Sequence, residues 1–437
     1  MRWMAKLQRT VAILRGSFNL RFASRQLLPA DAAMNTPSSA LSRRDGETLL
    51  RTSKTLERIL TENIVPFWYP EVIDQQDGGY RLNHDLAGRW SGPANKRLVT
   101  QARTLWFFSR LAKSRYARRE YLEAARHGYA FLSDRMWDQE FGGFYWEVDP
   151  AGRAATASEK RIYGQAFGLY ALTEYAIVSG DLSARAKAQE LFELMDNAAH
   201  DTVHGGYRDI CRRAWCAVPG VKRMNTQLHV LEAMVSFFAL TQHPIVKERI
   251  IELIFVNSNS VVRKKLGACT DEYLDSWQPL RGPKYDRVSY GHDVENVWLL
   301  AEACKSAAVP DSLLMDLYRT LFSYALQYGY DHENGGFYDS GPFYAPADRR
   351  EKIWWVQAEG LIAALQMYRL SGQEVYWNCF SRTLHWIVHQ QADWARGDWY
   401  ERIDGDGKAA GVKAGPWKSP YHNGRAMLQC LDLLPPG

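Results

Sequence analysis

Gly142-Gly143-Phe144 opens a segment that closes, 63 residues on, at Gly205-Gly206-Tyr207, and the chain between them reads as two helices. From Lys160 to Val178, Leu169, Leu172 and Ala176 keep a 3.6-residue period, with Tyr170 and Tyr175 filling the turns. From Asp181 to Ala199, Leu191, Phe192 and Met195 fall on one side and Arg185, Lys187, Glu190 and Glu193 on the other. A glycine-bounded pair of this kind is an antiparallel helical hairpin. The same punctuation recurs at Gly78-Gly79-Tyr80 and Gly335-Gly336-Phe337, with degenerate copies around Gly267 and Gly397. Successive first glycines are 64, 63, 62, 68 and 62 residues apart. Stacked units of one kind bury one continuous core, so 437 residues form one domain rather than three. Six such units can close into a ring.

One helix of each pair is apolar nearly all round, as in Leu231 to Leu240, Val297 to Ala303 and Gly360 to Leu365, and belongs inside. The expected inner runs are about 97–113, 160–178, 222–241, 289–308, 352–371 and 418–434. The expected outer runs are about 47–68, 115–136, 182–199, 244–260, 310–329 and 373–392. The fold class is all-α, an (α/α)6 barrel of six hairpins occupying residues 41–437.

The formal charge of +5 misleads, because residues 1–30 carry six basic side chains and no acidic one. The remainder is nearly neutral, which excludes a basic face for nucleic acid. Residues 1–40 are expected to be a disordered leader or a mis-assigned start, with Met34 as an alternative initiator. Their apolar run, Val11 to Leu14, is too short for a membrane span. Six cysteines without a CxxC pair suit a reducing compartment, so a cytoplasmic protein is expected, as monomer or homodimer. Aromatic content of 13%, with 16 Trp, points to sugar, because rings stack on sugar faces as well as in cores.

Twenty-two to 25 residues past each first glycine stand Arg103, Gln165, His229, His292, Gln357 and His422. At this phase, where each inner helix begins, all six are expected to face one cavity. Glu295, three residues after His292, is placed to orient that imidazole. Asn225 is a plausible helix cap before His229, and Pro420 marks the helix start before His422. Arg103 is a cation for a developing oxyanion. Trp298, Trp354, Trp355 and Trp417 are candidates to line or floor the cavity. His84, His204, His332, His385 and His389 lie off the phase and are assigned to surface or loops. Histidines 63 and 130 residues apart match no local ligand motif, so no metal is expected. Imidazole bases, a fixed cation and aromatic walls suit removal of a proton beside a sugar carbonyl.

Met224 to Ala233 (MNTQLHVLEA), Val288 to Ala303 (VSYGHDVENVWLLAEA), Trp354 to Glu359 (WWVQAE) and Pro420 to Met427 (PYHNGRAM) together resemble the N-acylglucosamine 2-epimerase superfamily. They look most like its cellobiose 2-epimerase branch. The similarity runs from about residue 50 to 434. It implies cofactor-free epimerisation, or aldose–ketose isomerisation, of a small-molecule sugar with a free reducing end. Carried over by motif, His292 and His422 are the acid/base pair, supported by Glu295. Arg103, His229, Asn225 and Tyr163 hold sugar oxygens, and Trp355 and Trp417 stack on rings with Trp298 behind them. Trp354 and Glu359 belong to the same binding set. The stretch Asp209 to Arg223 is shorter than the loop expected of that branch, which leaves a monosaccharide substrate open. An inverting glycoside hydrolase is the rival from another class, with Glu295, Glu359 and Glu401 as its available carboxylates.

Overall fold

The computed structural model describes residues 40–435; the expectations for the leader lie outside the described residues. Among these, twelve principal helices alternate along the chain. The inner six are α2 (Leu98–Lys113), α4 (Ile162–Ser179), α6 (Met224–Thr241), α8 (Tyr290–Ala307), α10 (Trp354–Ser371) and α12 (Tyr421–Leu433). The outer six are α1 (Gly46–Arg58), α3 (Arg119–Phe131), α5 (Leu182–Ala199), α7 (Pro244–Phe255), α9 (Met315–Gly329) and α11 (Glu374–Trp386). Each inner helix packs on the next, and α12 returns to α2, closing an (α/α)6 toroid. No helix among the described residues is long and apolar enough to cross a membrane.

Short strands stitch neighbouring units together at one end of the ring. Lys96–Arg97 pairs with Glu147–Val148, Lys160–Arg161 with Ile210–Cys211, and Lys352–Ile353 with Arg402–Ile403. In each case the strand leading into an inner helix meets the hairpin of the following unit. The seam between the last unit and the first is a bridge from Ala414 to His84. His84 is therefore 1% exposed, not the surface or loop residue its sequence context suggested.

The glycine turns are held from the inner helices. The Gln101 side chain accepts from Tyr80 N–H and donates to Tyr80 C=O, at 2.9 and 2.8 Å. Gln165 does the same to Phe144, Gln227 to Tyr207 and Gln357 to Phe337. A side-chain amide suits this task because it carries one acceptor and a donor. In the fourth unit Asp293 takes the position and accepts from Cys269 N–H at 2.8 Å. Burial pushes the Asp293 carboxyl up to about 8, so it is largely neutral at pH 7, as its amide counterparts are. The second glycine cannot carry a side chain. Gly336 has φ +83°, and a Cβ there would stand 2.6 Å from Gln357 Oε1.

A buried ion pair accompanies the staple: Lys96–Asp74, Lys160–Asp138, Lys222–Asp201 and Lys352–Asp331, each at 2.7–3.0 Å. In the fourth unit Val288 and Arg263 occupy the two corresponding positions. Losing both partners together avoids an uncompensated buried charge, the costly outcome.

Candidate active site

Aligning the six inner helices on the staple residue shows that the apparent single phase mixes three registers. Gln165 and Gln357 belong to the staple and do not face the cavity, contrary to the sequence expectation. One residue before the staple stand Thr100, Gly164, Thr226, His292, Val356 and His422. Two residues after it stand Arg103, Phe167, His229, Glu295, Glu359 and Arg425. Histidines come from two different registers, and the structure brings all three to one place.

That place is a cavity of about 240 Å³ at the strand-stitched mouth. It is lined by Arg103, Tyr163, Asn225, His229, His292, Glu295, Trp354, Trp355, Trp417 and His422. The Trp355 ring lies 5.0 Å from the His292 ring and 5.8 Å from that of His422, centroid to centroid. Tyr163 lies 5.3 Å from His229 and 6.5 Å from Trp417, on another side of the opening. Arg103 Nη2 donates to Tyr163 Oη at 2.9 Å, and its guanidinium sits 4.1 Å over the Phe167 ring. Among the described residues no carboxylate lies within salt-bridge distance of Arg103, so its charge faces the cavity uncancelled.

Three sequence expectations need correction. Glu295 does not support His292; its carboxylate accepts from Arg425 Nη2 at 3.0 Å, with His229 Nε2 at 4.0 Å. A spacing of three places two side chains on one helix face, but a cation from another helix outcompetes the neighbour. Glu359 and Trp298 do not line the cavity. They lie beneath it, with Trp298 Nε1 donating to Glu359 Oε2 at 2.9 Å. Asn225 is not a cap: Arg223 holds the N-cap position of α6, and the Asn225 N–H donates to Asp271 Oδ1 at 3.1 Å.

The partner of His422 is Glu359, 63 positions earlier, with Nδ1 and Oε1 2.6 Å apart. His229 Nδ1 meets Glu232 at 2.9 Å. Under both runs Arg425, which binds Glu232, Glu295 and Glu359 together. Glu232 also accepts from Tyr421 Oη at 2.6 Å. Sequence reasoning missed Arg425, Glu232 and Tyr421. The available signal was a charged Arg425 and Glu232 inside otherwise apolar inner helices. Glu295, Glu359 and His422 offer donor atoms within 4.8 Å of one another, the pattern of a metal site. Both carboxylates, however, already accept from the Arg425 guanidinium, which supplies the positive charge in their midst.

Burial dominates the ionisation of this cluster. It lowers His229 to about 4 against the opposing pull of Glu232. Burial, then the charges of Arg103 and Arg425, hold His422 well below 6.5. Burial lowers His292 as well, against Asp271 and Asp339. Burial would raise Glu232, but Arg425 and His229 overcome it and hold that carboxyl at about 2. Glu359 and Glu295 are instead raised by burial, Glu295 further by the nearby Glu359. At neutral pH the three imidazoles are therefore uncharged. An imidazole must be neutral to accept a proton, and protonation on acidification begins only below its lowered pKa. The acid limb of kcat/KM for any proton abstraction here is expected below pH 6.5. A midpoint above 6.5 in a steady-state pH profile would contradict this electrostatic account.

A closed six-hairpin toroid with imidazoles at its mouth defines a class of carbohydrate-handling proteins. The family model for N-acylglucosamine 2-epimerase (GlcNAc 2-epimerase) matches residues 78–426, and the chain belongs to that family. It is 29% identical over 399 residues to a cellobiose 2-epimerase of Bacteroides fragilis, covering 87% of this chain and 97% of that one. It is 30% identical over 389 residues to the cellobiose 2-epimerase of Dictyoglomus turgidum, covering 86% and 97%. The solved cellobiose 2-epimerase of Spirochaeta thermophila superposes with a TM-score of 0.82 at 30% identity, covering 89% and 98%. A D-mannose isomerase structure matches with a TM-score of 0.77 at 23% identity, a likeness of fold.

Proposed function

We propose that this protein is a sugar 2-epimerase that interconverts glucose- and manno-configured units at a reducing end. The observation that carries the reading is the placement of His292 and His422 about the Trp355 ring in one cavity, each neutral at pH 7. The C2 proton of an open-chain aldose is weakly acidic, so its removal needs a near-neutral base and donors prepared for the enediolate oxygen. His292 and His422 act at C2 from different sides. Arg103 and Tyr163 meet the developing negative charge on O1, while His229 and Asn225 hold neighbouring hydroxyls. Trp355 and Trp417 contact ring faces.

The His422–Glu359 pair suits a reversible reaction. In one tautomer Glu359 is ionised, accepts the Nδ1–H, and leaves Nε2 as a base. In the other Glu359 is protonated, donates to Nδ1, and leaves an Nε2–H to give away. The raised Glu359 and lowered His422 bring these two states close in energy. One residue then serves as base in one direction and as acid in the other, with no charge placed on the ring beforehand.

Hydrolysis by inversion needs two carboxylates about 6.5–9.5 Å apart across the scissile bond. Glu295 and Glu359 are instead tied to one guanidinium, and Glu401 accepts from Val412 N–H at 2.7 Å in a hairpin. The names of the similar proteins support a β-1,4-linked glucose disaccharide as substrate. Incubation with cellobiose in D2O, followed by NMR, tests the reading. The expected product carries mannose configuration at the reducing end with deuterium at C2. A ketose product would move the assignment to an aldose–ketose isomerase, and free glucose would indicate hydrolysis.

A further inference from the structure

A second cavity, of about 200 Å³, opens at the same mouth of the toroid and shares a wall with the first. The wall is Arg97, which lines this cavity while its guanidinium lies 4.9 Å over the Trp417 ring. Trp417 lines the catalytic cavity, and the residues just before it, Gly415 and Pro416, line the second one. A chain of sugar units leaving the catalytic cavity across Trp417, itself 48% exposed, arrives at this opening.

The second cavity presents an aromatic face and hydrogen-bonding groups together. Trp90 is 41% exposed there, with the Arg81 guanidinium 5.1 Å from its ring centroid. Gln76 and Asp77 contribute an amide and a carboxylate on the opposing loop. The loop bearing Trp90 is firmly held. Asn83 Nδ2 donates to Gly92 C=O at 3.0 Å, Ser91 N–H to Asn83 C=O at 2.8 Å, and Arg89 N–H to Asp85 Oδ1 at 2.9 Å. The bridge from His84 to Ala414 fixes it to the last unit.

Comparison with the other units sharpens the point. Trp215 and Trp277, on the corresponding hairpins of the third and fourth units, lie over the preceding unit's glycine turn. They spend their indole N–H on backbone carbonyls there, at 3.0 and 2.9 Å. Trp90 follows Gly88, the residue at the equivalent turn position, and is displayed to solvent instead. An exposed indole on a tied-down loop costs apolar exposure without a packing return, which is how binding platforms are built.

Resting on the epimerase reading, we propose that this cavity is a subsite for a further unit of a β-1,4-gluco-oligosaccharide. The sugar stacks on Trp90 and hydrogen-bonds to Asp77 and Gln76, so the enzyme favours oligosaccharides longer than a disaccharide. Stacking of this kind is worth about 0.5–1.5 kcal/mol, roughly threefold to tenfold in affinity.

Steady-state kinetics with cellobiose, cellotriose and cellotetraose on the wild type and on Trp90→Ala test it. The expected result is that kcat/KM for cellotriose or cellotetraose exceeds that for cellobiose in the wild type. Trp90→Ala then removes that gain while leaving cellobiose within twofold, and Trp90→Phe restores most of it. Equal values for all three sugars in the wild type, or an equal fall for all three in the variant, overturn the subsite. If no sugar is turned over, the epimerase reading fails by itself. Calorimetry then decides the subsite: weaker cellotetraose binding by Trp90→Ala with unchanged cellobiose binding supports it, and unchanged cellotetraose binding overturns it.

Discussion

Replacing His422 by Gln is expected to lower kcat by about 10³-fold, within the range that general acid–base catalysis contributes. Exchange of deuterium into C2 should vanish with it, because no other imidazole in the cavity is coupled to a carboxyl that can both take and return a proton at that position. His422 is 6% exposed, and removing it takes one hydrogen bond from Glu359. Glu359 keeps Trp298 and Arg425, however, and the Gln side chain retains a donor for it. The melting temperature should therefore move by only a few degrees. Turnover within tenfold of wild type would remove His422 from the chemistry. A collapse of the melting curve would make it a structural residue. His292→Gln provides the partner measurement, since its ring has no comparable carboxylate hydrogen bond and its loss should leave stability nearly unchanged.

Arg425→Met should have the largest effect on stability of any single change in the barrel. One guanidinium, 2% exposed, faces Glu232, Glu295 and Glu359, all of them buried. Removing one side of a buried ion cluster leaves uncompensated charge and costs about 3–5 kcal/mol. For a domain of this size that corresponds to a fall of roughly 5–10 °C in Tm. The pH dependence has a definite sign. Without the cation the folded carboxyls titrate above their unfolded value, about 4.3 for Glu. Below that value both states are protonated and the deficit is small. It grows as pH rises through the raised folded pKa values. Thermal melts of wild type and variant at pH 5.5 and pH 8 should therefore diverge at the higher pH. Arg425→Lys retains a cation and should lose less. A deficit independent of pH would mean that packing against Trp298 and Tyr421, not charge, is what Arg425 supplies.

Both outcomes bear on how the site tolerates so much buried polarity. Arg425 serves Glu232, and thereby His229; it also serves Glu359, and thereby His422. One cation thus sets the ionisation of two imidazole partners drawn from different inner helices. Its neighbours Trp298 and Tyr421 lie 4.8 and 4.2 Å from it and keep water from the cluster. The arrangement places the ionised groups beneath the cavity floor and the neutral imidazoles at its surface. A weakly acidic C–H is best met by such a surface, because a charged base would be held in its charged form.

Much of this protein was legible from the order of its residues. Helical period, amphipathicity and glycine turns are local properties, and each repeat states them again. The six inner and six outer runs therefore emerge from the chain within a few residues of their observed ends. The set of residues at the mouth follows from the same period, since each inner helix enters the ring at the same height. What no local pattern contains is rotation about each helix axis and the choice of partner across it. Gln165 and His292 stand at nearly the same distance past a glycine turn. One is turned back to brace that turn, while the other looks into the cavity. Glu295 sits at the spacing that pairs residues on one helix, yet binds Arg425 on another because a full buried charge outweighs a nearby neutral ring. Glu359 was taken for a sugar ligand and lies under the floor holding His422. The seam at His84, the three-carboxylate grip of Arg425 and the wall shared by the two cavities exist only once the ring has closed. Residues hundreds of positions apart then become neighbours.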